Sequence, residues 1–363
     1  MRTGYPLLKR FGVLLALLFM SLSAHAEQEK ETEEDAESSL CPAQEQTADA
    51  SQTDSSCFLF HLVYLQPESN SENDNGLSGG LGVTYDLQYS LWDTGSLNSA
   101  GESGVDKKDG ITRFHKYHLE FHANGTYAFD QDTPRKDFIK AKVDGLYQWY
   151  REDKQFVDRS LCLSPDDITS GRCQVTLDSL FIDAGLTASY ESDQRRENVN
   201  YTYGATARVS WWPDRDSAVL KFNPLDWPFR MIRKATGDDP RPIRQSMPSL
   251  LLNLERISPD KDTLRQEVLD ASSEDYDRLN IELGFSTAVG MFSEKRVNFS
   301  ASLRYFRELD PPTAIEAADM DTHKAVFYSL EMDSGWRLTY ATGKLPFDRE
   351  EDQLWELGYQ LDY

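Results

Sequence analysis

The last residues of the chain, Trp355-Glu356-Leu357-Gly358-Tyr359-Gln360-Leu361-Asp362-Tyr363, alternate without a break between an apolar or aromatic side chain and a polar side chain or glycine. Successive side chains of an extended strand point to opposite faces, so this stretch has one greasy face and one wet face. The pattern recurs upstream. Leu81, Val83, Tyr85, Leu87, Tyr89 and Leu91 oppose Gly82, Thr84, Asp86, Gln88 and Ser90. Val199, Tyr201, Tyr203, Ala205, Ala207, Val209 and Trp211 oppose Asn200, Thr202, Gly204, Thr206, Arg208 and Ser210. Leu279, Ile281, Leu283 and Phe285 oppose Asn280, Glu282, Gly284 and Ser286, and Val297, Phe299, Ala301, Leu303 and Tyr305 oppose Asn298, Ser300, Ser302 and Arg304. Helical periodicity over three turns is hardly present, so the class is all-β.

A soluble sandwich alternates too, and two features favour lipid instead. The polar faces mix glycine and serine with ionisable residues over the roughly 9 to 11 residues that a tilted strand needs to cross a bilayer. The apolar faces tend to end in tyrosine or tryptophan, as at Tyr147, Trp149, Tyr190, Trp211 and Tyr305, which suits the aromatic girdles of a membrane barrel. With Trp355, Leu357, Tyr359, Leu361 and Tyr363, the chain end resembles the carboxy-terminal assembly signal of the Gram-negative outer-membrane β-barrel superfamily. That resemblance is porin-like in kind and points to no specific family. It implies a closed antiparallel up-and-down barrel in a bacterial outer membrane. It also implies three partners: the barrel assembly machinery, outer-membrane lipid and lipopolysaccharide.

Twelve segments read as strands: 58–66, 80–92, 112–123, 137–150, 176–191, 198–212, 248–258, 277–290, 296–306, 323–332, 335–343 and 353–363. An even number suits a single-chain barrel with both ends in the periplasm. Asn124-Gly125 is a two-residue hairpin signal that would raise the number to fourteen. Outward links then fall at 67–79, 124–136, 192–197, 259–276, 307–322 and 344–352. The long link from Pro213 to Met247 falls on the periplasmic side and contains FNPLDWPFRMIRKATG. That run suggests a short helix, which either plugs or caps the mouth, lies on the inner leaflet, or is a plain surface helix.

Upstream, Arg2, Lys9 and Arg10 precede an apolar run from Phe11 to Leu22 and then Ala24-His25-Ala26, the layout of a cleaved signal peptide over residues 1–26. Residues 27–56 are rich in Glu, Asp, Ser and Gln, and read as a disordered acidic leader. The barrel occupies 57–363. Cys162 and Cys173 flank LSPDDITSGR, and Cys41 and Cys57 bracket a second polar stretch. An oxidising compartment favours disulfides over free thiols here, each closed loop restricting the unfolded chain by about 3 kcal/mol. Neither pair has the CxxC spacing of a zinc site. The formal charge of −23 argues against nucleic acid as a partner.

On the strand HKYHLEFH, the spacing of two puts His118, Glu120 and His122 on one face, toward the lumen, with His115 on the other. Same-face neighbours are about 7 Å apart, so adjacent members could share a metal ion, while a hydrogen-bonded lumen network is the commoner use of such residues. Beyond this possible divalent cation, in the lumen or at the acidic loops, no cofactor is implied. Asp86, Lys140, Lys142, Asp144, Asp183, Arg208, Glu255, Glu282, Arg304, Arg337 and Glu356 share the inward phase, with both signs of charge. Such walls form a constriction or zip a narrow barrel shut. No nucleophile elbow, HExxH or phosphate loop gives positive support for an enzyme. The order of expectation is a narrow porin-like channel for small polar solutes, then a barrel-embedded envelope lipid hydrolase, then a structural or adhesive protein.

Overall fold

A computed structural model describes residues 57–67, 80–94, 97–98, 111–129, 138–156, 174–270, 274–292, 295–348 and 351–360. The signal segment, the leader, Cys41, Cys162, Cys173 and the final residues Leu361 to Tyr363 lie outside the described residues. The strands are β1 (Cys57–Pro67), β2 (Gly80–Asp93), the two-residue β3 (Leu97–Asn98), β4 (Ile111–Ala128), β5 (Ile139–Phe156), β6 (Gln174–Ser192) and β7 (Asn198–Trp212). They continue as β8 (Ser249–Asp262), β9 (Tyr276–Phe292), β10 (Lys295–Leu309), β11 (Thr322–Met332), β12 (Trp336–Gly343) and β13 (Asp352–Gln360). Four short helices sit in the links: α1 (Ala218–Lys221), α2 (Trp227–Ala235), α3 (Thr263–Leu269) and α4 (Thr313–Ala317).

Each strand from β4 to β13 pairs antiparallel with the next in sequence, β13 returns to β1, and β2 pairs with both β1 and β4. The short β3 only leans on the start of β4. The result is a closed up-and-down barrel of twelve long strands. Closure leaves no sheet edge, which is the condition for a sheet to cross hydrocarbon. Asn124-Gly125 makes no hairpin, which removes the fourteen-strand alternative. β4 runs straight through it, with Asn124 opposite Asp86 and Gly125 opposite Tyr85. Continuous pairing on both flanks overrides the local turn signal, and a Cβ at position 125 would come within 2.9 Å of the Tyr85 hydroxyl.

The faces are inverted relative to a soluble protein. On β8 the outward Leu252 and Leu254 are exposed, whereas Asn253 and Glu255 between them are buried. On β6 and β7, Leu186 is 71 % exposed and Tyr203 55 %, while Asp183, Thr187, Thr202 and Thr206 are buried. Apolar groups outside and polar groups inside, repeated strand by strand around a closed ring, describe a wall solvated by lipid. Aromatic pairs mark both margins of this wall. Trp336 and Tyr359 meet 5.1 Å apart near the rim that carries the chain ends, and Tyr190 and Tyr201 meet 5.7 Å apart near the opposite rim. Those two rims are called the terminal rim and the far rim below. No helix among the described residues is long and apolar enough to cross a membrane.

The long link after β7 does not plug the lumen. α2 starts after Asp226 with Pro228 in its first turn, where proline costs no helical hydrogen bond, and carries Arg233 and Lys234 in its last turn. Its Phe229 ring lies 4.8 Å from Phe299 and 6.2 Å from Phe285, both outward side chains of β10 and β9. The helix therefore packs on the outside of the barrel wall. An arginine in place of the outward Leu254 should cost about 2 to 4 kcal/mol, and one in place of the rim residue Asp260 at most about 1 kcal/mol. Urea unfolding of Leu254→Arg and Asp260→Arg in lipid vesicles measures the difference. Equal stability of the two variants would mean that the outward face does not sit in lipid.

Candidate functional site

The lumen is layered. Nearest the far rim it is apolar: Phe138, Phe306, Ala325, Leu345 and Phe347 form one buried cluster, Val63, Leu65, Ala128, Ala341 and Leu354 form another, and Phe327 packs against both. Phe138 precedes β5, Phe306 lies on β10, and Phe347 belongs to the link after β12. The Phe138 ring is 6.2 Å from Phe306 and 5.6 Å from Phe347. Since β5 and β10 stand five strands apart in a ring of twelve, this contact spans the interior. Over it, Gln194 from the link between β6 and β7 bonds both backbone groups of Ala128 at the top of β4. Arg265 of α3 makes a two-pronged pair with Glu308 at 2.6 and 2.7 Å. Burial opposes the Arg265 charge, yet hydrogen bonding and the Glu308 carboxylate raise its pKa above the usual arginine value.

Immediately beneath lies a cluster of four charges. Arg278 on β9 donates to Glu191 on β6 at 2.7 and 2.9 Å and to Glu255 on β8 at 2.8 Å. Lys140 on β5 reaches Glu191 at 3.0 Å and Glu255 at 3.5 Å. The Arg278 guanidinium lies over the Phe306 ring, 5.1 Å from its centre, which ties the cluster to the apolar layer above. All four side chains are nearly excluded from solvent. Charges held this dry persist because each cation meets two carboxylates, and the loss of one partner strands the rest.

Deeper along β4 and β5, Glu120 bridges the two histidines of its face. One carboxylate oxygen is 3.3 Å from His118 Nε2 and the other 3.0 Å from His122 Nε2. Lys142 pairs with Asp144 at 2.7 Å, and Gln148 donates to Asp183 at 2.7 Å. The three expected ligands are thus together and point inward, with His115 outward beside Tyr147. They are knitted by hydrogen bonds, and among the described residues no group of three or more His, Cys, Asp or Glu side chains is arranged to hold a metal ion.

The other expected inward residues also fall in place. Arg208 sits in register with Asp183. Thr84 on β2 donates to Glu356 on β13, two strands away, at 3.0 Å, Arg304 lies 4.0 Å from Glu282, and Asp86 is exposed. Arg337 is half-buried on the neighbouring strand to Glu356. Arg278, Glu191 and the phenylalanine layer were not singled out in the sequence. The signals were present: Arg278 is in phase with Asn280 and Glu282, and β1 is apolar on both faces (FLFHLVYL), the mark of a strand buried on both sides.

No protein-family model matches the chain, and no curated protein sequence matches it. Loose likenesses exist among solved structures. A KdgM porin is 7 % identical, with a TM-score of 0.29, over 85 % of this chain and 99 % of its own. A NanC porin is 7 % identical, with a TM-score of 0.35, over 85 % and 100 %. OccK11 (OpdR) of Pseudomonas aeruginosa is 11 % identical, with a TM-score of 0.29, over 84 % and 96 %.

Replacing Arg278 leaves Glu191 and Glu255 facing each other with Lys140 alone. Arg278→Met should therefore lower stability by about 3 to 5 kcal/mol, and adding Glu191→Gln and Glu255→Gln should restore most of it. Urea unfolding of both variants provides the check, and a loss under about 1 kcal/mol for Arg278→Met would show the cluster to be solvated rather than dry.

Proposed function

We propose that the chain is a narrow porin-like channel of the outer membrane that passes small polar solutes and is held shut at its far mouth by the phenylalanine layer. The observation that carries this reading is the composition of the interior. From Glu356 on β13 and Asp86 on β2 to His122, Lys142 and Asp183 on β4, β5 and β6, inward positions offer hydrogen bonds and charges of both signs. A wall of this kind favours water and small polar molecules over lipid and gives no single-sign selectivity. A barrel whose only task was structural would gain as much from an apolar filling, since buried ion pairs add little net stability. The hydrolase reading has less behind it. His118 and His122 hold a glutamate rather than a serine. The letters G-x-S-x-G do occur at Gly76-Leu77-Ser78-Gly79-Gly80, but strand β2 begins at Gly80, where a nucleophile elbow requires a helix to begin.

Opening requires Leu345 and Phe347 to leave Phe138 and Phe306. Truncating a packed phenylalanine to alanine costs about 3 kcal/mol or more, which corresponds to roughly a hundredfold rise in the open population when the contact exists only in the closed form. In planar bilayers the native protein should show rare small steps, and Phe347→Ala should show them far more often. If purified, folded barrel of both kinds gives no conductance step at any voltage or solute, the channel reading fails.

A further inference from the structure

The link between β7 and β8 carries a surface that the channel reading does not use. α2 lies against the outer wall and is fixed there firmly, with α1 tied to it. Arg233 of α2 is almost wholly buried. It donates to both Asp226 carboxylate oxygens at 3.1 Å, to the Ala288 carbonyl of β9 at 2.6 Å and to Thr287 at 3.3 Å. Thr287 in turn donates to Asp226 at 2.7 Å. The far end of the helix abuts the wall at Gly290, where a Cβ would meet the Thr236 hydroxyl at 2.8 Å. Arg230 ties the two helices together by donating to the Lys221 carbonyl at 2.8 Å.

On this rigid mount, the side turned away from the barrel is apolar. Phe222 is 82 % exposed, Trp227 63 % and Met231 61 %, with Val219 and Leu225 about half exposed. A folded helix pair, with its own wall-facing residues Phe229 and Ile232 already packed, has no reason to leave five large apolar side chains in water. The helix that carries Trp227 and Met231 packs through Phe229 on Phe285 and Phe299, outward residues of the lipid-solvated wall of β9 and β10, so the patch continues a surface already facing hydrocarbon. Its charge also fits a membrane. Residues 213–248 contain seven basic and five acidic side chains in a chain whose net charge is −23, and Lys221 and Lys234 are exposed beside the apolar patch.

We infer that α1 and α2 form a lipid anchor on the outside of the barrel, with Phe222, Trp227 and Met231 seated among the acyl chains of the leaflet at the terminal rim. Lys221 and Lys234 reach the phosphate groups of that leaflet. An amphipathic helix with aromatic and aliphatic groups on one side and cations on the other has the composition of an interfacial anchor. Here the barrel supplies the orientation, so little ordering entropy is lost on insertion. The inference rests on the barrel fold and not on conduction, and it stands or falls separately.

The test uses full-length protein in vesicles of phosphatidylcholine and phosphatidylglycerol, with and without bromine on the acyl chains. Subtracting the emission of Trp227→Phe from that of the native protein isolates Trp227. Most of that difference emission should be quenched by brominated chains and spared by aqueous iodide. A Met231→Trp substitution placed in the Trp227→Phe background should restore a component quenched in the same way. Quenching by iodide and not by bromine would put the patch in water and overturn the anchor. Quenching by neither would mean that a second copy or another protein covers the patch, and would overturn it equally.

Discussion

A backbone amide facing hydrocarbon has no water to turn to, and each unpaired group costs several kcal/mol. The whole molecule is arranged around that constraint. Pairing of β1 with β13 from His61↔Gln360 to Pro67↔Leu354 and of β2 with β4 turns a sheet into a ring. Among the described residues the lattice is interrupted where β8 begins. β8 begins at Ser249 opposite Gly284, whereas β9 continues to Phe292 and β7 to Trp212. Below Ser249 both neighbours lack a partner strand, and arginines from the long link supply what is missing. Arg233 donates to the Ala288 carbonyl, and Arg244 donates to the carbonyls of Trp212 at 3.0 Å and Pro213 at 3.1 Å. α2 on the outer wall is thus part of the repair as well as an apolar surface.

Closure with twelve strands also sets the interior. The ring is narrow enough for Phe138, just before β5, to touch Phe306 of β10, and for Arg278 to reach two carboxylates on other strands at once. Inside such a space charges lose most of their water and survive by pairing, which explains why Lys140, Glu191, Glu255 and Arg278 form one cluster instead of a scatter of solvated side chains. The apolar layer above depends on that cluster, since Phe306 is both part of the layer and the platform for the Arg278 guanidinium. The charge cluster and the apolar layer are therefore joined through one residue pair.

Alternation made the wall legible from the sequence because lipid imposes a rule on every second residue. Tyr201, Tyr203 and Leu283 were placed outside, and Asp183, Lys140 and Glu255 inside, on that rule alone. β4 and β5 run past their expected ends, to Ala128 and Phe156, because pairing on both flanks carries β4 through the local turn signal at Asn124-Gly125. The Phe138, Phe306 and Phe347 contact was not legible because it joins residues far apart in sequence across the lumen, and no local period encodes such a meeting. The position of α2 was open for a similar reason: FNPLDWPFRMIRKA gives a helix with apolar residues on more than one side. Only the wall it rests on decides which of them are covered.

The central claim, a closed barrel with lipid outside and polar groups within, has one direct test. A closed barrel resists dodecyl sulfate until heated and keeps its compact shape, so unboiled protein should run faster on a gel than boiled protein. A clear shift between the two lanes, lost on heating, is the predicted result. Identical mobility of boiled and unboiled samples of membrane-extracted protein would contradict the account.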